Sequence, residues 1–193
     1  MKRWSAVALL ALALALAGGT ALAGPVGVSA GAFLGTSVPV LQEVNASSFS
    51  PSDAFGESGT QWGLRAQVHA IPVVTLEPFY AKASYGDRDE TIGGISYTRE
   101  GYDAKTFGVN AILGTPDGSG FHFFPYVGIG KTKLTRTGEE INKTGFNFGL
   151  GLGISPAQKL SIQLRSEFQM VATGDTSRKF AGLNAGLTYR ILP

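Results

Sequence analysis

Residues 145–154 read Gly-Phe-Asn-Phe-Gly-Leu-Gly-Leu-Gly-Ile, so every second position is Gly or Asn and every position between is large and apolar. Only an extended strand separates those two sets onto opposite faces. One face is then a continuous apolar band and the other is nearly bare backbone. Glycine weakens a water-exposed sheet and leaves its backbone uncovered. It suits the crowded inside of a narrow closed barrel, where small residues leave room for longer polar ones from neighbouring strands. The Phe/Leu/Ile face would look outward, and an outward apolar band requires lipid.

The same two-residue period recurs along the chain. It places Val26, Val28, Ala30, Ala32 and Leu34 opposite Gly27, Ser29 and Gly31, with Phe33 interrupting the small face. Over 61–71, Trp62, Leu64, Ala66, Val68 and Ala70 oppose Gln61, Gly63, Arg65, Gln67 and His69. A third strand sets Phe79, Ala81, Ala83 and Tyr85 against Tyr80, Lys82 and Ser84, and a fourth, over 102–113, sets Phe107, Val109, Ala111 and Leu113 against Thr106, Gly108, Asn110 and Ile112. The fifth, 123–130, turns Phe123, Pro125, Val127 and Ile129 away from Tyr126, Gly128 and Gly130; the sixth is 145–154 itself. In the seventh, Leu160, Ile162, Leu164, Phe168 and Met170 oppose Ser161, Gln163, Arg165, Glu167 and Gln169. The eighth carries Leu183, Ala185, Leu187, Tyr189 and Ile191 against Gly182, Asn184, Gly186, Thr188 and Arg190.

Eight strands predict an all-β fold, a closed antiparallel up-and-down transmembrane β-barrel. An even count lets the last strand pair antiparallel with the first and leaves no edge in lipid. The connections alternate: 35–59, 86–100, 131–143 and 173–179 are long, while 72–74, 115–120 and 155–159 are short. Long external loops and short periplasmic turns have that asymmetry, so both termini should be periplasmic. Aromatic girdles are expected from Trp62, Tyr85, Phe107 and Phe146 at the outer ends and Phe79, Phe123 and Tyr189 at the inner ends.

Residues 1–23 carry Lys2 and Arg3, an apolar run from Ala6 to Ala17 and the tripeptide Ala21-Leu22-Ala23. The run is shorter than the roughly 20 residues a spanning helix needs and ends in a small-residue cleavage pattern, so a cleavable signal peptide is expected, with residues 24–193 forming one barrel domain. Removing Lys2 and Arg3 from 16 basic residues leaves 14, against 14 acidic ones. A neutral chain has no bulk charge with which to hold nucleic acid. Without cysteine there is no disulfide, thiol chemistry or Cys-based zinc site.

The residues Asn184-Ala185-Gly186-Leu187-Thr188-Tyr189-Arg190-Ile191 resemble the C-terminal assembly signal of the small eight-stranded outer-membrane barrels, the OmpA transmembrane-domain and OmpX type. Pro125-Tyr126-Val127-Gly128-Ile129-Gly130 and Glu77-Pro78-Phe79-Tyr80 are similar to strand openings of that class. Many members end on Phe, whereas this chain ends Ile191-Leu192-Pro193. The resemblance covers the chain from Gly24 onward. It implies an outer-membrane location in a diderm bacterium, outer-membrane lipid and the assembly machinery as partners, and Asn184, Gly186, Tyr189 and Ile191 as the assembly signal. No periplasmic peptidoglycan-binding domain is expected after the last strand.

The inward set should be a lumen network of Arg65, Gln67, Lys82, Asn110, Asn147, Gln163, Arg165, Glu167, Asn184 and Arg190. An eight-stranded lumen is filled by side chains, and buried charges persist when paired. Basic groups outnumber Glu167 in that set, and either Glu77 or a loop carboxylate is a candidate to complete the pairing. The expected role is structural, with envelope integrity and exposed loops, no catalysis, no cofactor, no metal and a monomeric state. Loops 35–59 and 86–100 would meet any extracellular ligand. A narrow pore, a surface adhesin and a lipid-modifying enzyme are the alternatives. An enzyme would need His69 or His122 beside a nucleophile and an orienting carboxylate; His69 falls toward the periplasmic end of its strand, remote from outer-leaflet lipid, and His122 is followed by Phe123-Phe124 with no Ser two residues on. The run Asp87, Asp89 and Glu90, interrupted by Arg88, reads as a solvated loop rather than a cation site. A soluble barrel of lipocalin type would reverse the two faces and put glycine where water-exposed charges belong.

Overall fold

The computed structural model describes residues 27–40, 58–71, 73–92, 94–116, 120–172 and 177–192. The expected signal peptide and most of loop 35–59 lie outside them. Eight strands form the wall: β1 (Gly27–Val40), β2 (Gly59–Ile71), β3 (Val74–Tyr85), β6 (Tyr102–Leu113), β7 (Gly120–Arg136), β8 (Glu139–Ala157), β9 (Leu160–Ala172) and β10 (Ser177–Leu192). Between β3 and β6 a separate hairpin, β4 (Arg88–Ile92) and β5 (Ile95–Arg99), makes its own two-stranded sheet. The wall runs β1-β10-β9-β8-β7-β6-β3-β2 and closes through antiparallel pairing of β1 with both β2 and β10. Ala32 stands between Leu64 on one side and Leu187 on the other. Across the apolar band every wall strand is paired on both sides, which is the condition for crossing hydrocarbon; strand ends, as on β1, β7 and β8, run on past one neighbour.

Alternation decides the faces. On β8, Gly145, Asn147, Gly151 and Gly153 are buried, while Phe146, Phe148, Leu150, Leu152 and Ile154 are exposed. Leu34, Leu64, Phe107, Val127, Ile162 and Leu187 extend this outer apolar band around the barrel. Phe148 and Phe168 are paired across β8 and β9, with ring centroids 5.2 Å apart.

Three expectations change. The wall strands run past the roughly 9 to 11 residues that span a bilayer: β7 has 17 residues and β8 has 19. Most of the expected loop 131–143 is therefore ladder, from Lys131↔Thr144 to Arg136↔Glu139, closed at Thr137 and Gly138, the latter at φ 77°. A left-handed turn residue is what glycine supplies without strain. Residues 35–40, expected as loop, are likewise strand, paired with β10 through Val40↔Lys179. Finally, β3 faces the other way. Phe79, Ala81, Ala83 and Tyr85 are buried in the lumen, and Tyr80, Lys82 and Ser84 point out. Phe79 and Tyr85 therefore leave the girdles. Trp62, Phe107 and Phe146 remain exposed at the outer end and Phe123 and Tyr189 at the inner end.

Candidate functional site

The lumen is organised around Glu77, 1% exposed on β3. Its carboxylate accepts four hydrogen bonds. Arg165 of β9 donates two, Nη1 to Oε1 at 2.6 Å and Nη2 to Oε2 at 2.7 Å; Gln67 of β2 donates to Oε2 at 2.7 Å and Asn110 of β6 to Oε1 at 3.0 Å. The two-point pairing of guanidinium with carboxylate is the strongest ion-pair geometry available to these side chains. Asn147 of β8 donates to the Asn110 amide oxygen at 2.6 Å. Arg65 donates to Asn184 of β10 at 2.9 Å, and Arg165 donates to the Gln163 oxygen at 2.7 Å. The bonds thus cross-link six of the eight wall strands.

Aromatic rings complete the layer. Arg65 lies 4.3 Å over the Phe33 ring, and Arg165 lies 5.0 and 5.3 Å from Phe124 and Tyr126. Phe33, which interrupts the small face of β1, is there to carry a cation. The glycines of β8 seat these rings. A Cβ at Gly151 would meet the Phe124 ring, and one at Gly149 would meet the Ser166 carbonyl oxygen and the Tyr126 hydroxyl. Phe124 is 1% exposed and has Arg165 against it, so it has nowhere to retreat. Gly151→Ala is accordingly expected to cost about 1–3 kcal/mol of overpacking, read as a lower urea midpoint for the refolded barrel; an unchanged midpoint would mean that Phe124 is free to move.

The lumen is closed at both ends. On the periplasmic side the turn that follows β6 tucks Pro116 into the mouth. Its carbonyl accepts from Ser161 and Gln163, each at 3.2 Å, and from His122. Thr75 gives its hydroxyl proton to the Gly114 carbonyl at 2.8 Å, so His69 Nδ1, 2.8 Å from that hydroxyl oxygen, must be the donor. Both histidines spend an N–H on tying down turns, whereas a general base would aim a lone pair at a nucleophile. Toward the exterior, Gln169 bridges Thr106 and Thr132 at 3.1 and 3.0 Å. Above it lies an apolar cluster of Tyr85, Ala104, Leu134, Val171 and Phe180, with Tyr102 and Ile141 against it. Between the Glu77 layer and this cap sits a cavity of about 10 Å³, lined by Glu167, Gln169, Thr106, Gln61 and Ser37. That is room for about one water.

Of the residues read from sequence as lumen groups, Arg65, Gln67, Asn110, Asn147, Gln163, Arg165 and Asn184 meet in or beside this layer. Glu167 lies above it, and Arg190 is half-buried near the periplasmic end of β10, with its backbone N–H on the Lys159 carbonyl. Lys82 does not belong: it projects from the outer face and pairs with Asp103 at 3.0 Å. The physical reason is the parity of β3. Glu77 shares its face with Phe79, and a carboxylate at membrane depth has to turn inward. With Glu77 inside, the two buried arginines stand against two lumen carboxylates. Thr106, read from the alternation as inward, is in the lumen, and it is joined there by Thr75, Thr132 and the Pro116 carbonyl, which the sequence reading did not include.

In the β4–β5 hairpin, Asp87 accepts from the Gly101 N–H at 2.7 Å and Asp89 from the Thr98 hydroxyl at 2.8 Å. These carboxylates brace the hairpin. Among the described residues, no group of three or more His, Cys, Asp or Glu is arranged to hold a metal ion.

Residues 5–190 match the model of the outer membrane protein beta-barrel domain family. Among solved structures, Neisserial surface protein A is similar over 86% of this chain and 98% of its own, at 11% identity and a TM-score of 0.61. A major outer membrane protein of Thermus thermophilus covers 86% and 99% of the two chains, at 12% identity and TM-score 0.56. The N-terminal beta-barrel domain of Pseudomonas aeruginosa OprF covers 86% and 100%, at 14% and 0.52. No curated protein matches the chain.

Proposed function

The chain belongs to the outer membrane protein beta-barrel domain family, and from that premise we propose that its lumen is a sealed structural plug, so that the barrel serves as a rigid, non-conducting wall element carrying exposed hairpins. Its place is the outer membrane, with both termini periplasmic and its role structural. The observation that supports a sealed lumen most directly is the four-bonded Glu77 carboxylate beneath a buried apolar cap. An ion entering from either end would have to break the paired charges or displace buried rings. Planar-bilayer recording of the purified barrel tests this: a flat baseline at up to about 100 mV is expected, and reproducible conductance steps would overturn it.

The finer assignments rest on sequence. Residues 1–23 act as a cleavable signal peptide. Asn184, Gly186, Tyr189 and Ile191 address the chain to the outer-membrane assembly machinery. Loops 35–59 and 86–100 provide the surface for an extracellular ligand, and the barrel is a monomer in which lipid covers the whole apolar band. Support for a display role comes from the β4–β5 hairpin and from the continuation of β7 and β8 beyond the apolar band.

A further inference from the structure

On the outer surface, three lysines stand side by side in register. Lys82 of β3 pairs with Lys105 of β6, and Lys105 pairs with Lys133 of β7. One step toward the membrane, Lys131 is paired with Phe107. All four point outward, between the lumen residues Ala81 and Ala83, Ala104 and Thr106, and on either side of Thr132. Like charges directly opposite one another in a sheet are destabilising. Two of the four are relieved from above: Lys82 by Asp103 at 3.0 Å and Lys133 by Glu140 at 2.7 Å. Lys105, in the middle of the row, feels Asp103 only beyond ion-pair distance, and it and Lys131 below it are exposed, with no carboxylate at ion-pair distance among the described residues. The patch carries four ammonium groups against two carboxylates.

Its depth identifies what relieves it. Trp62 is the cross-strand neighbour of Lys82, while Tyr80 and Phe107 are paired in the next row down. Trp62 and Tyr80 pack edge to face, with centroids 5.8 Å apart, and an aromatic belt of this kind marks the headgroup level of a bilayer. Lys131 shares that row. An anion at this level, beside an uninterrupted apolar wall, is most simply delivered by a molecule that also has an acyl chain. We propose that Lys105 and Lys131, flanked by Lys82 and Lys133, form a site for the phosphate of an outer-leaflet lipid, whose chains lie along Phe107, Val109 and Ile129. The like-charge row is then a binding device that the sheet tolerates because the bilayer supplies the counter-charge.

Spin-labelled lipids in liposomes test the site. Phosphatidylglycerol should be enriched over phosphatidylcholine in the motionally restricted shell of the full-length barrel, and K105Q/K131Q should cut the ratio by about fivefold or more. An unchanged ratio in that variant would overturn the proposal. A second readout separates binding from mere surface charge. K105Q should raise the urea midpoint in pure phosphatidylcholine, where it removes repulsion, and lower it in phosphatidylglycerol, where it removes a contact. A shift of the same sign in both would overturn the proposal, as would reproduction of the phosphatidylglycerol behaviour by inorganic phosphate added to phosphatidylcholine liposomes.

Discussion

Glu77→Ala is expected to lose about 3–5 kcal/mol of stability, because it strands a guanidinium inside the barrel with no counter-charge at bonding distance. Arg165 is 3% exposed, and both of its terminal nitrogens bond to Glu77. Asn110 would lose its acceptor in the same change and Gln67 would keep only its 3.4 Å bond to the Gln163 oxygen, so four donors are left to share what remains. A loss of this size is a large fraction of a typical domain stability of about 5–15 kcal/mol. Much of the variant should fail to show heat-modifiable migration after refolding into liposomes. The double variant E77Q/R165M removes both charges and keeps side chains of similar length. Replacing a buried pair by neutral groups is far milder than breaking it, so the double variant should recover most of the midpoint that either single change loses. A double variant as damaged as the sum of the singles would show that the pair does not act as a unit.

Leu150→Arg should cost about 2–4 kcal/mol, the penalty for a cation near the bilayer midplane on a barrel's lipid face. Leu150 is central among the outward residues of β8 between Phe146 and Ile154, and it is half exposed with no protein layer beyond it. Depth is what makes the result diagnostic. Phe146→Arg, close to the headgroups, should cost only about 0–1 kcal/mol, whereas in a soluble barrel with those side chains in its core both changes would be severe. Equal penalties at the two positions would argue against a membrane on that face.

The sequence made β8 readable because each of its faces is uniform, and the same holds for β2, β9 and β10, where the polar face includes Arg65, Arg165 or Asn184. Strand β3 is harder. Both of its faces mix apolar and polar groups, and choosing the more apolar set as outward placed Lys82 inside and Phe79 and Tyr85 outside. The decisive residue was Glu77: it lies an even number of positions from Phe79, Ala81, Ala83 and Tyr85, so turning it inward fixes the whole strand. Charged runs misled for a related reason. Lys131, Thr132, Lys133 and Leu134 alternate as a strand should, but beyond the bilayer the outward face meets headgroups and water, so its lysines resemble a loop. The closures of the lumen were the least legible, since the Pro116 carbonyl is backbone, and the cap joins Tyr85, Leu134, Val171 and Phe180 from four strands that only the register brings together.

Because the chain has no cysteine, single-cysteine variants can carry a nitroxide at one chosen site. Labels at Phe146, Phe148, Leu150, Leu152 and Ile154, in a barrel refolded into liposomes, should all be more accessible to oxygen than to a water-soluble nickel chelate, with the difference peaking near Leu150. Free access of the chelate to Leu150, or protection of all five positions from both reagents as in a packed interior, would contradict a barrel whose glycine face turns inward and whose Phe/Leu face meets hydrocarbon.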